Sequence, residues 1–414
     1  MFKIRLIGLA AAGFASMTTA AAQHPLDGLN KPELEQVHAI LSDSGRLNEN
    51  ARYALVNLAE PDKARVLKWT GENSPARRAL IVIRQDKNVY ESIVDLDAKK
   101  AVSWRNIPGV QPALLDEEWM QSQAIVRNNK EWRAAIEKRG IDNPKRVFCF
   151  PSFAGYFDTP RDRENRRIGM VACYDSGSKY GLWGRPIAGL LAIVDYDENR
   201  ILELVDTGVV PIPEGGPAIA PKQPQDMPAT GPRKKRFAIK DNWVSWDKWR
   251  FHLRIDPRVG PVISQASVKD GDERRSVLYQ GSVSELFVPY MDPTTNWYFR
   301  TYLDVGEYNI GMSGVPLRQG VDCPANASMI AASFLNERGK VYTKDGIACV
   351  FERETADAGW SHFEMGSGAL SRRHTELVVR FIVWLGNYDY VLDWIFTETG
   401  SIKGRVGATG VVQV

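Results

Sequence analysis

Seven prolines fall between Pro211 and Pro232 (Pro211, Pro213, Pro217, Pro221, Pro224, Pro228 and Pro232), with Gly215 and Gly216 among them. A proline has no backbone N–H to give a helix or a sheet ladder, so this stretch is neither a helix nor a central strand. It divides the chain into two parts that must each close a core. A length of 414 residues, too great for one ordinary domain, agrees with that division. The basic run Arg233-Lys234-Lys235-Arg236 reads as the solvated end of the linker, which spans 211–236. A net charge of +3 is too small to draw in nucleic acid or an acidic membrane surface.

The N-terminal 22 residues read as an export signal. Lys3 and Arg5 form a basic start, residues 6–17 an apolar core too short to span a bilayer, and Ala20-Ala21-Ala22 a small-residue cleavage pattern. No later apolar run reaches 18 residues, so no membrane span is expected. The expectation is a protein starting near Gln23 and exported to a bacterial periplasm, where disulfides persist.

Ahead of the linker, a helix followed by antiparallel strands occurs twice. Residues 30–43 read as a helix, with Asn30 and Glu33 as a capping-box pair and Leu34, Val37 and Leu41 on one face. Strands follow at 53–58, 79–83, 89–96 and 101–104. A long helix is predicted over 116–139, then strands at 146–150, 168–174, 189–196 and 201–205. Ile93-Val94-Asp95-Leu96-Asp97 recurs 100 residues later as Ile193-Val194-Asp195-Tyr196-Asp197. These signals give two small α+β domains, 23–112 and 113–210. After the linker, 237–414 alternates strand-like runs with turns, as in a large antiparallel β sandwich. Its last run, 407–414, has no closing turn, so the sandwich reads as incomplete. The fold class expected is α+β.

The chain has no phosphate-binding glycine loop, nucleophile elbow or His-Glu-x-x-His helix. Its five histidines, His24, His38, His252, His362 and His374, show no metal-pair spacing and read as surface or core residues. Cys323 and Cys349, 26 apart around one predicted hairpin, read as a disulfide in an exported protein. Cys149 and Cys173, 24 apart, either pair as well or stay as thiols. By residue chemistry alone, Asp304 is a turn residue and Tyr388 a core or edge aromatic.

Gly386-Asn387-Tyr388-Asp389-Tyr390 resembles the cofactor motif of the copper-dependent primary amine oxidases. Further matches stand in that family's order. They are Trp246-x-x-Trp249, Asp256-Pro257-Arg258-x-Gly260, Val288-Pro289-Tyr290-Met291-Asp292-Pro293, Tyr302-Leu303-Asp304-x-Gly306-Glu307-Tyr308, Asp322-Cys323, Cys349-x-Phe351-Glu352, and Ser371-Arg372-Arg373 leading to Glu376-Leu377-Val378-Val379. The resemblance covers nearly all of the chain after the export signal. It implies paired small N-terminal domains (cystatin-like), a β-sandwich catalytic domain, and a homodimer. The activity it implies is oxidation of a primary amine by molecular oxygen to aldehyde, ammonia and hydrogen peroxide, with copper(II) and topaquinone as cofactors.

Carried over by motif, Tyr388 would be the topaquinone precursor that forms a Schiff base with substrate, and Asp304 the proton acceptor. Tyr302 would gate the substrate channel, Tyr290 would hydrogen-bond a quinone oxygen, and Asn387 would help orient the ring. Cys323 and Cys349 would be the family's disulfide. A carboxylate suits proton abstraction best if burial raises its pKa towards neutrality, which the apolar neighbours of Asp304 favour. Tyr302 and residues 305–312 would line part of the entrance and suit aromatic amines.

Trp384 stands where the family usually has Ser or Thr, and Asn309 where Gly is common. The family's copper ligands, a His-x-His pair and a third histidine, follow the quinone, whereas this chain stops 26 residues after Tyr388 with no histidine between. The resemblance therefore implies a truncated amine oxidase with no metal ligands of its own, inactive unless a second chain supplies them. The alternative is a non-catalytic exported binding or assembly protein that retains the N-terminal domains.

Overall fold

The computed structural model describes residues 23–71, 74–153, 155, 157, 166–176, 182–183, 185–212 and 234–412. The expected export signal at 1–22 and linker residues 213–233 lie outside them.

The helix Lys31–Asp43 starts where its cap dictates. Asn30 Oδ1 accepts the Glu33 N–H at 3.0 Å, and the Glu33 carboxylate accepts the Asn30 N–H at 2.8 Å. Leu34, Val37 and Leu41 are buried on a four-stranded antiparallel sheet of Arg52–Leu58, Arg78–Gln85, Asn88–Asp95 and Lys100–Asn106. The second small unit repeats this plan, with one correction. The predicted helix over 116–139 is two helices, Asp116–Asn128 and Lys130–Glu137. Asn129 between them is extended and caps the second by accepting the Trp132 N–H at 2.8 Å. Trp132 and Ile136 pack on a second four-stranded sheet, Val147–Phe153, Ile168–Asp175, Pro186–Asp195 and Arg200–Asp206.

The repeated pentapeptide occupies equivalent places. Each copy ends the third strand of its sheet and carries the same register shift, between Ile93 and Val94 and between Ile193 and Val194. Asp95 faces Lys100, and Asp195 faces Arg200. Lys99 and Asn199 both take left-handed backbone, with φ of 51° each.

From Phe237 on, two five-stranded antiparallel meanders face one another. Trp246, Trp249 and Phe251 of the first share a core with Val350, Val379 and Phe396 of the second. The Phe251 and Phe396 rings stack at 4.1 Å. Hydrophobic patterning marks strand-like runs at 349–353 and 375–385, and both are parts of one long hairpin, Val341–Glu364 with Gly368–Leu385. Its outer half is solvent-exposed, so core patterning marked only its base. Among the described residues strands hold 50% and helices 13%, so the α+β chain expected is mostly β. The first small unit packs Lys31–Asp43 on its sheet and the second packs Asp116–Asn128 and Lys130–Glu137 on its own, and among the described residues the region after residue 237 adds one helical turn.

Cys323–Cys349 is a disulfide, as is Cys149–Cys173, whose members face each other across adjacent strands with Cα atoms 4.0 Å apart. Two bridges suit an oxidising compartment. Among the described residues no helix is long and apolar enough to cross a membrane.

Candidate active site

Strand Thr301–Leu303 pairs with Phe287–Pro289 and runs straight into the one-turn helix Asp304–Tyr308. Glu285 holds the start of that turn. Its carboxylate accepts the Val305 N–H at 2.7 Å, the Leu286 N–H at 2.9 Å and the Gly306 N–H at 3.2 Å. A negative charge there satisfies N–H groups that a helix start leaves open. Asp304 is thus the first residue of a capped helical turn, buried at 6% exposure, and not the loop turn residue its chemistry alone suggested. Burial lifts its pKa to about 6; a hydrogen bond from the Tyr390 phenol opposes the rise and the nearby Glu285 charge adds to it. Burial also lifts Glu307, to about 7.

The second half of the site is a hairpin tip. Strand Gly368–Leu385 turns through Gly386 and Asn387 into Tyr388–Thr397, with Leu385 opposite Tyr388. Gly386 has φ of +66°, and a Cβ there would lie 2.9 Å from the Phe150 ring. A glycine at the first position of a two-residue turn meets both demands. Asn387 Nδ2 donates to the Val411 carbonyl at 2.8 Å, and the Val411 N–H donates to the Asn387 carbonyl at 2.7 Å, so the turn is pinned to the chain beyond the neighbouring strand.

Strand periodicity puts Tyr388 and Tyr390 on one face, their rings 6.4 Å apart. The Tyr290 hydroxyl donates to the Tyr388 hydroxyl at 3.2 Å, and burial raises the Tyr290 pKa, which keeps it a donor. The Tyr302 hydroxyl lies 3.2 Å from Ser152 Oγ, and its ring meets Tyr290 edge-on at 6.0 Å.

All five expected residues, Asp304, Tyr388, Tyr290, Tyr302 and Asn387, line one cavity of about 480 Å³. Trp119, Phe148 and Phe150 from the second small unit form part of its wall. Trp384 also lines it, half-exposed and tilted against Trp119 at 5.8 Å. Sequence reasoning missed Tyr390 and Glu285. Alternation along the strand could have found Tyr390; Glu285 carries no local signal. The Asn309 departure is explained: its φ is 50°, in the left-handed region that asparagine tolerates best after glycine, and its Nδ2 donates to the Ala54 carbonyl at 2.9 Å.

No histidine lines this cavity among the described residues. His38 bonds the Tyr53 hydroxyl at 3.0 Å, His362 pairs with Glu364 at 3.0 Å, and His374 sits 3.9 Å from Glu376. His24 and His252 meet at Asp27, elsewhere in the fold. The described residues therefore do not provide an imidazole site for copper beside Tyr388.

The sequence matches three models of one family: "Copper amine oxidase, N2 domain" over 24–107, "Copper amine oxidase, N3 domain" over 117–218 and "Copper amine oxidase, enzyme domain" over 238–414. Primary amine oxidase of Klebsiella aerogenes is 34% identical over 406 residues, covering 94% of this chain and 53% of that protein. The copper-containing amine oxidase gamma 2 of Arabidopsis thaliana is 35% identical over 412 residues, covering 94% of this chain and 60% of that one. The chain thus spans between about half and three-fifths of the length of these two relatives. Among solved structures, a copper-containing benzylamine oxidase from Hansenula polymorpha superposes with a TM-score of 0.82 at 22% identity, over 94% of this chain and 65% of that one. The lysyl oxidase of Pichia pastoris gives 0.73 at 18% identity, over 95% of this chain and 61% of that one. At those identities the likeness is one of fold.

Proposed function

Since this chain belongs to the copper amine oxidase family, we propose that it forms the amine-binding and proton-abstracting part of a primary-amine oxidase of the copper/topaquinone type. That enzyme converts a primary amine and oxygen to aldehyde, ammonia and hydrogen peroxide. The observation that carries this reading is the 3.2 Å Tyr290–Tyr388 hydroxyl bond in the same aromatic-walled cavity as buried Asp304. A ring held at one oxygen, with a carboxyl close by and room for a small amine, fits Tyr388 as the topaquinone precursor. In its quinone form that ring supplies the electrophile and the electron sink.

The remaining work falls to ordinary side chains. Asp304 takes the proton from the amine carbon. A pKa near 6 leaves it ionised at neutral pH yet more basic than an exposed aspartate. Tyr390 orients that carboxylate through its hydrogen bond, and Glu285 holds the helical turn beneath it. Asn387 fixes the hairpin tip, and Tyr302 stands as the gate. Trp119, Phe148 and Phe150 shed water and take the apolar part of the amine, which suits aromatic amines. No described histidine lines the cavity, so the copper ligands would come from outside the described residues.

The same proposal covers the architecture and setting. Residues 23–112 and 113–210 are two cystatin-like domains joined by the linker 211–236 to a β-sandwich catalytic part at 237–414. Residues 1–22 are a signal peptide, the protein works in the periplasm, and two copies associate through the β part. A second reading, a non-catalytic exported binding or assembly protein, is favoured by the lack of histidine around the cavity among the described residues.

Isolation of the full chain from its own copper-supplied cells, with any second chain attached, decides between them. A redox-cycling quinone stain and amine-dependent peroxide, both lost in Tyr388→Phe, are expected of the oxidase. Absence of both sinks it and leaves the binding protein.

A further inference from the structure

Far along the chain from the cavity residues, the segment that opens the described chain lies on the first five-stranded sheet. His24, Asp27 and His252 meet there, exposed by only 3%, 8% and 0%. One donor atom from each lies within 4.8 Å of the others. None of the three lines the cavity around Tyr388.

The imidazole of His252 is the informative member. Its Nε2 is 2.7 Å from Asp27 Oδ1, while Nδ1 is buried with no hydrogen-bond partner among the described residues. A neutral imidazole has one N–H and one lone pair. If Nε2 carries the proton, a buried lone pair is left unanswered at Nδ1. If Nδ1 carries it, the Nε2 lone pair faces a carboxylate oxygen, a repulsion that a cation between them would turn into attraction. A cation held at Nε2 takes the second tautomer and relieves the repulsion at Asp27, while Nδ1–H stays buried without a partner among the described residues. Ser264, the cross-strand partner of His252, also has a buried hydroxyl without a hydrogen bond among the described residues.

Asp27 is already served by donors. Oδ1 accepts from Asn242 Nδ2 at 2.7 Å, and Oδ2 accepts the His24 N–H at 2.9 Å. It is held as an ionised acceptor aimed at His252. The His24 ring lies over that of His252 with centroids 4.4 Å apart, and its Nδ1 accepts the Leu26 N–H at 3.2 Å. Two imidazoles and a carboxylate are the donor set of borderline divalent cations such as zinc. Two ligands about 2.0–2.1 Å from a tetrahedral ion sit about 3.3 Å apart, so the Asp27 and His252 atoms, 2.7 Å apart, would separate by about half an ångström to admit it. With Nδ1 accepting the Leu26 N–H, His24 would reach the ion through Nε2, giving up its side-chain hydrogen bond with Gln265.

We propose that His24, Asp27 and His252 form a structural site for one zinc-type divalent cation, which staples the N-terminal segment to the catalytic β region. It is separate from the copper chemistry expected at Tyr388 and stands whether or not that chemistry does.

The test uses the full chain, stripped with a chelator and titrated with Zn²⁺ by calorimetry, with Co²⁺ as the spectroscopic probe. One equivalent should bind, with visible cobalt bands and a higher melting temperature for the loaded protein. His24→Ala and Asp27→Asn should each weaken binding at least tenfold, while His362→Ala, at an exposed His–Glu pair, leaves it unchanged. His24 lies on the terminal segment, so its variant keeps the test open if His252→Ala fails to fold. Absence of stoichiometric binding, or equal binding by wild type, His24→Ala and Asp27→Asn, overturns the proposal, as does binding lost only in His362→Ala.

Discussion

Asp304 shows how one side chain is set by what surrounds it. On residue chemistry alone it is a turn aspartate. In the folded chain it begins a helical turn capped by Glu285 and sits beneath Tyr390, and burial lifts its pKa from 3.8 to about 6. Between those two values the folded state holds more protons than the unfolded one. Stability therefore falls as pH rises through that window, and the cost persists above it. Asp304→Asn, which removes the charge and keeps an acceptor for Tyr390, should stabilise the fold by about 3 kcal/mol at pH 8. The gain should fade below pH 4, as paired denaturant melts would show. If Asp304 is the base of an oxidase, kcat/KM should fall on the acid side with an apparent pKa near 6, and Asp304→Asn should cost at least 10²-fold. An unchanged pH profile in that variant would remove the base assignment. Asn309 stands out in the sequence only as a departure; its backbone conformation and its bond to the Ala54 carbonyl explain the choice, so Asn309→Gly keeps the turn but loses a buried hydrogen bond and should lower stability by about 1–2 kcal/mol in a melt.

At the scale of single elements, local signals worked where the determining contacts lie a few residues apart. The capping box at Asn30 and Glu33 sets a helix start, and Gly386 sets the turn before Tyr388. Gly386→Ala meets both a positive φ and the Phe150 ring, and should cost about 1–3 kcal/mol. A thermal melt equal to wild type would mean that the turn readjusts freely. Periodicity predicts a single helix over 116–139 because the apolar positions run on across Asn129, whose own side chain interrupts the stretch by capping the next helix. The long hairpin was under-read because its outer half is exposed and carries no buried alternation. The disulfide Cys323–Cys349 closes a separation of 26 residues, and Cys323→Ser with Cys349→Ser should lose about 3 kcal/mol by urea titration.

Across the whole molecule, the three parts are held by polar ties of different depth. Glu117 of the second unit bonds Arg52 of the first at 2.8 Å and Arg338 of the β region at 2.6 Å, but it is partly exposed. Glu118, next to it, pairs with Arg167 at 2.7 Å, with both side chains at most 3% exposed. Arg167 also donates to the carbonyls of Pro112 at 2.8 Å and Ala113 at 2.9 Å, which anchors the segment joining the two small units. Burial decides the outcome. Glu117→Ala should cost at most about 1 kcal/mol and matter less in high salt. Glu118→Ala strands a buried guanidinium and should cost about 3–5 kcal/mol. Equal losses in the two melts would contradict this ranking.

What the sequence alone determined is what short stretches can encode: the helix start at Asn30, the recurring Ile-Val-Asp segment and the order of motifs along the chain. Each rests on backbone preference or on contacts within a few residues. The tertiary structure decided which distant groups meet. It set Asp304 against Tyr390, 86 residues on, walled their cavity with Trp119 and Phe150, closed Cys149 on Cys173, and brought His252 to Asp27 across 225 residues. Those meetings follow from how sheets face one another and how deeply each group is desolvated, and no local stretch of residues contains that information.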